Sequence, residues 1–226
     1  MKPILVLVVA AMVPAAALGS GGGSMNMPSM SSPAVERTPE DRAKSAYNAG
    51  VRSIRKADSA NERADKETNP DKKAKLQERA RDSYRKSLKD FESAIELMPQ
   101  MFEAWNYIGY AKRNLGDYAG ALEAYDQALT INPQYGDAIE YRGRAYLGLA
   151  RVDDAKNAYL TLFASDRKLA DKLLTAMKDW VGAQRGTTSA VAPATLDDLD
   201  KWISERIQIA GQTAGLTPDG KGTRWN

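Results

Sequence analysis

Laid on itself at an offset of about 34 residues, the stretch from Phe102 to Phe163 matches itself at position after position. Ala104 falls on Ala138, Tyr107 on Tyr141, Gly109 on Gly143, Ala121 on Ala155 and Tyr125 on Tyr159. The same offset taken backward places Phe91 on Tyr125, Ala94 on Ala128 and Pro99 on Pro133. A chain that repeats itself three times at this period is a stack of small supersecondary units, each too small to bury its own apolar face and each using the next to do so.

The residue types say what the unit is. Gly116-Asp117-Tyr118 interrupts a helical pattern and Asn132-Pro133 stops the next one, because proline bars the preceding residue from continuing a helix. Each unit is therefore a pair of antiparallel helices. Gly109, Gly143, Ala121 and Ala155 are small where two backbones must come close, and Trp105, Ile139, Tyr125 and Tyr159 are large where gaps must be filled.

Trp105, Ile108, Gly109, Ala121, Tyr125, Ala128 and Pro133 together resemble the tetratricopeptide repeat, with Lys112 standing where that family usually has an aromatic; the next repeat has Tyr146 there. The resemblance implies an all-α solenoid of helical hairpins, with repeats at 101–135 and 136–165. It also implies that partners bind on the face lined by the first helix of each pair. Carried over residue by residue, that wall comprises Asn106, Tyr110 and Arg113, then Glu140, Arg144 and Leu147, continued by Tyr47 and Ile54. The mixture suits an extended or helical peptide. It does not suit the family's clamp for a terminal carboxylate, since Glu103, Asp137 and Glu140 are acidic where cations or asparagine would be wanted.

The first unit, 38–100, is too long. Its opening helix carries Tyr47 and Gly50 and its closing helix ends at Leu97-Met98-Pro99, about two dozen residues more than the period allows. Thr38-Pro39-Glu40-Asp41 and Asn69-Pro70-Asp71 are both helix starts, so the sequence predicts two long helices, 40–66 and 70–97, whose far halves project as an arm. In that arm Ala57, Ala60 and Ala64 are expected to face Ala74, Leu76 and Ala80. Basic residues crowd it, among them Lys72, Lys73, Arg79 and Lys86, which makes an acidic partner or anionic surface conceivable. Acids are interleaved and no basic stripe with exposed aromatics appears, so nucleic acid is not expected.

After the repeats, 166–185 has Leu169, Leu173, Leu174, Met177, Trp180 and Val181 at helical spacing and is read as a cap. A linker (186–194) precedes another helix, 195–211, striped by Leu196, Leu199, Trp202, Ile203 and Ile207. Residues 212–226 look disordered.

At the other end, Lys2 followed by the apolar run Ile4–Met12 and a small-residue stretch reads as a cleaved signal segment, 1–19, placing the protein in the periplasm or outside the cell. No membrane segment is expected after cleavage. A Gly, Ser and Met-rich leader, 20–37, follows, in which Met25, Met27 and Met30 form a thioether cluster that could hold Cu(I). The chain has no histidine and no cysteine, which removes the common general base, thiolate nucleophile, disulfide and most transition-metal sites, and no cofactor is expected. Lysine and arginine exceed aspartate and glutamate only by 32 to 29. The function read from the sequence is a non-enzymatic adaptor of the cell envelope that binds a protein or peptide. The alternatives are a copper carrier using the leader and an enzyme using groove acids such as Glu140 and Asp137.

Overall fold

The computed structural model describes residues 38–186 and 191–213. The expected signal segment, the leader with Met25, Met27 and Met30, linker residues 187–190 and the tail from 214 lie outside the described residues.

Described residues form eight helices and no strand: α1 (Pro39–Lys66), α2 (Pro70–Leu97), α3 (Phe102–Asn114), α4 (Tyr118–Ile131), α5 (Gly136–Gly148), α6 (Val152–Ser165), α7 (Arg167–Arg185) and α8 (Pro193–Thr213). The fold is an all-α, tetratricopeptide-type helical solenoid. Among the described residues no helix is long and apolar enough to cross a membrane.

Four of the helix starts, those of α1, α2, α4 and α7, are set by a side-chain cap, while α3, α5 and α6 begin without one. Thr38 and Asp41 close a reciprocal capping box, the Asp41 N–H donating to Thr38 Oγ1 at 3.1 Å and the Thr38 N–H to Asp41 Oδ2 at 3.3 Å. Asn69, Asp117 and Asp166 cap α2, α4 and α7 through their side-chain oxygens. The turns between paired helices repeat in detail. Gly116 has φ +90° and Ala150 has φ 55°, and in each turn the left-handed residue and its successor donate back to the end of the preceding helix.

The same close approach recurs in the first two units. A Cβ placed on Gly109 would lie 2.5 Å from Tyr125 Cε1, and one on Gly50 would lie 2.6 Å from Phe91 Cε1. Gly50 and Phe91 are 41 residues apart, whereas Gly109 and Tyr125 are 16 apart, so the first hairpin is a repeat lengthened in its middle. At 28 residues α1 and α2 are each about 42 Å long, roughly twice α3. Ala57, Ala64 and Ala80 are buried there, but Ala74 is exposed. Ala74 is corrected to the outer face because Leu76, Ala80, Ser83 and Ser87 set the inward stripe of α2, and position 74 falls off that stripe.

One core joins α1 to α4 around Ile54, Tyr84, Phe91 and Ile108. A second runs from α4 to α8 around Tyr125, Tyr159, Leu162, Leu173 and Met177. Helix α7 covers both α5 and α6. Helix α8 packs back on this core through Leu196, Leu199 and Ile203, and Trp202 meets Tyr159 edge-on at 5.2 Å. It begins at Pro193, two residues before Thr195, and continues through Gly211 to Thr213; Ile207, one turn beyond the core cluster, is 51% exposed.

Candidate functional site

The first helices of successive pairs, α1, α3, α5 and then α7, form one wall of the solenoid. The eight residues expected on that wall fall into three groups.

Ile54, Asn106 and Glu140 are buried, 4%, 2% and 1% exposed, and offer a partner almost no surface. Here the expected groove wall is corrected. Ile54 joins the apolar core between α1, α2 and α3. Glu140 lies under Arg144, whose Nε donates to Glu140 Oε1 at 2.5 Å one helical turn away. Asn106 Oδ1 is buried with no hydrogen-bond partner.

Tyr47 and Tyr110 are tied up by neighbours. Tyr47 packs edge-on against Phe91 and Tyr107, at 5.7 and 5.9 Å, and burial pushes its phenol up to about 12. Tyr110 donates to Asp58 Oδ1 at 3.0 Å, and Tyr84 donates to the same oxygen at 2.6 Å. Asn61 Nδ2 donates in turn to the Tyr84 hydroxyl at 3.2 Å. One carboxylate on α1 thus holds a phenol from α2 and another from α3. Burial first, and then Asp58, raises both phenols well above their ordinary range. Sequence reasoning missed this node, because Asp58 and Asn61 lie in an arm whose charges read as a solvated face.

Arg113, Arg144 and Leu147 come together, although Leu147 itself is only 3% exposed. With Tyr118, Gly148, Ala176, Asp179, Trp180 and Gln184 they line a cleft of about 360 Å³ where α3, α5 and α7 converge. A side chain at Gly148 would run into the Tyr118 ring, so glycine there keeps the wall thin. Arg113 is held by aromatic faces, its guanidinium 5.2 Å from the Tyr110 ring centre and 5.8 Å from that of Tyr141, and its Nε is buried without a hydrogen-bond partner. Burial opposes its charge, but Tyr125, Tyr110 and Glu140 around it more than offset that and hold the proton on. The cleft is therefore lined by a largely buried arginine held between tyrosine rings, an arginine neutralised by Glu140, one carboxylate and an indole. The α7 contribution is not visible in the sequence, where the single apolar stripe of 166–185 reads as a one-sided cap. Trp180 is half-buried, packing on the core while its other edge lines the cleft.

Neither Glu140 nor Asp137, the carboxylates an enzyme reading would use, lines this cleft. Such a lining can bind, by charge, stacking and apolar contact, the side chains of a peptide.

Residues 102–135, which carry α3, α4 and the Asn132-Pro133 stop, match the family model described as the tetratricopeptide repeat. No curated protein matches the chain.

Proposed function

We propose, from the tetratricopeptide repeat that the chain carries, that it is a non-enzymatic adaptor of the cell envelope whose groove takes a peptide or helix of another protein. The observation that carries this reading is the cleft where Arg113, Arg144 and Leu147 meet Trp180. Repeats of this kind are interaction modules, and a solenoid's binding surface lies where its first helices line up. The cleft combines an aromatic with arginine, the residue types that dominate protein-binding hot spots. The signal-like segment at 1–19 supports the envelope location.

The test is a photo-crosslinking residue at Ala176, in the full chain expressed in its native host, with Asp179→Arg as the companion change. Asp179 is exposed, so the reversal alters the cleft and not the core. A defined protein captured from position 176, and lost with Asp179→Arg, supports the reading. Capture from exposed positions remote from the cleft with none from 176 refutes it. Fractionation of the same cells checks the location, and a cytoplasmic protein that retains residues 1–19 would overturn that part.

A further inference from the structure

A second surface lies away from the cleft, on the long hairpin. Two adjoining depressions, of about 450 and 140 Å³, run along the seam between α1 and α2 and share Lys56, Arg79 and Ser83. Their floor is small: Ala49, Ser53, Ala60 and Ser83, with Leu76 beside them. Their rims are cationic. Arg52, Lys56 and Arg63 stand on α1 and Arg79 on α2, and none of these four makes an ion pair among the described residues. The acids nearby are engaged: Asp82 by Arg85 at 2.9 Å, and Asp90 by Lys86 at 3.1 Å and by the Ser53 hydroxyl at 3.4 Å.

From this we infer that the seam is a docking site for an acidic amphipathic helix of a partner protein. The seam between two antiparallel helices is a straight trough into which a third helix can pack, and small residues on its floor permit close approach. Positions 52, 56 and 63 lie along one side of α1, about 6 and 16 Å apart in rise, so an occupant with carboxylates one and three turns apart would satisfy all three. Such a helix buries Ala49, Ala60 and Leu76 under its own small apolar stripe and meets Arg79 on the far rim. The floor of small residues, alanine and serine with Leu76 beside them, sits recessed between the rims and admits the close approach of a helix, which a polyphosphate chain does not need and a flat lipid surface would not reach. This inference rests on the seam alone and stands apart from the cleft.

The test uses the full chain and a labelled synthetic helix of about 20 residues, an alanine and leucine stripe flanked by glutamates at the rim spacing. Its companions are the same peptide broken by a central proline, inorganic polyphosphate, and vesicles of phosphatidylglycerol with phosphatidylcholine. The intact helix is expected to bind at least about tenfold more tightly than the broken one, roughly 1.4 kcal/mol. Lys56→Glu with Arg79→Glu should weaken it about tenfold or more, while Arg55→Glu with Arg81→Glu, the same charge change on exposed positions outside the seam, should leave it within about threefold. Circular dichroism of each variant controls for folding. Equal binding of intact and broken peptides, equal losses in the two double variants, or preference for polyphosphate or vesicles would overturn the inference.

Discussion

Replacing Gly109 by alanine tests the central packing claim. The added methyl would sit 2.5 Å from Tyr125 Cε1 and 2.7 Å from Cδ1, where about 3.5 to 4.0 Å is the comfortable separation. Tyr125 is fully buried in the core, so its ring cannot simply swing aside. A contact this far inside van der Waals distance forces the ring or the helix to move by about 1 Å, overpacking at the upper end of the usual range, about 2 to 3 kcal/mol. Against this, alanine gains about 1 kcal/mol over glycine in a helix interior. The net expectation is a loss of about 1 to 2 kcal/mol. Gly182 supplies the control, since it lies inside α7 with nothing within 4 Å of a Cβ and should show only the gain. With a urea dependence of about 2 kcal/mol per molar, Gly109→Ala should lower the midpoint by about 0.5 to 1 M and Gly182→Ala should raise it by up to about 0.5 M. Gly50→Ala should follow Gly109→Ala, its methyl meeting Phe91 at 2.6 Å. A Gly109→Ala midpoint at or above wild type, with unchanged slope, would refute the reasoning.

Three further outcomes are expected. Asp58→Ala strands the phenols of Tyr84 and Tyr110 and should cost about 2 to 3 kcal/mol in urea unfolding, with Asp58→Asn costing less because it keeps an acceptor. Ala150→Gly should stabilise by up to about 1 kcal/mol, since it relieves a left-handed alanine at φ 55° but frees the unfolded chain, and thermal unfolding measures the balance. The buried phenols of Tyr47, Tyr84, Tyr110 and Tyr125 all have folded pKa values raised above the ordinary 10.0, with burial the leading cause. Their stabilising contribution is therefore complete below about pH 10 and lost as pH climbs through the folded values, so the last fraction of the phenolate absorbance should appear only together with loss of helical dichroism.

The parts of the fold legible in the sequence were those decided by local chemistry. Thr38, Asn69, Asp117 and Asp166 start helices because their oxygens satisfy otherwise unpaired N–H groups, and that requirement is visible in a four-residue window. The repeat was legible because a buried glycine facing a ring, as Gly109 faces Tyr125, leaves a fixed spacing. The site was legible only in part. Asn106 and Glu140 lie at positions that the family resemblance turns toward the groove, yet their burial depends on which residues from adjacent turns and helices close over them, Arg144 over Glu140 in one case. Trp180 read as core from its stripe, and only the way α7 leans on α5 shows that one edge reaches the cleft.

The Asp58 node also bears on what the long hairpin can do. Successive helical residues are turned by about 100°, so Lys56 and Asp58, two positions apart, point to opposite sides of α1. Asp58 is drawn toward α3 by the Tyr110 hydroxyl, while Lys56 lines the seam. The face that fastens the hairpin to the solenoid is thus not the face that carries the unpaired cations, and a helix docked on the seam would leave the fastening intact. The same tyrosine lies under Arg113, 5.2 Å from its guanidinium, and Arg113 lines the cleft. Loosening Asp58 should therefore disturb the cleft more than the seam. Asp58→Asn should weaken capture from position 176 while sparing the acidic-helix probe, and the reverse ranking would mean that the hairpin is fastened by something other than this carboxylate.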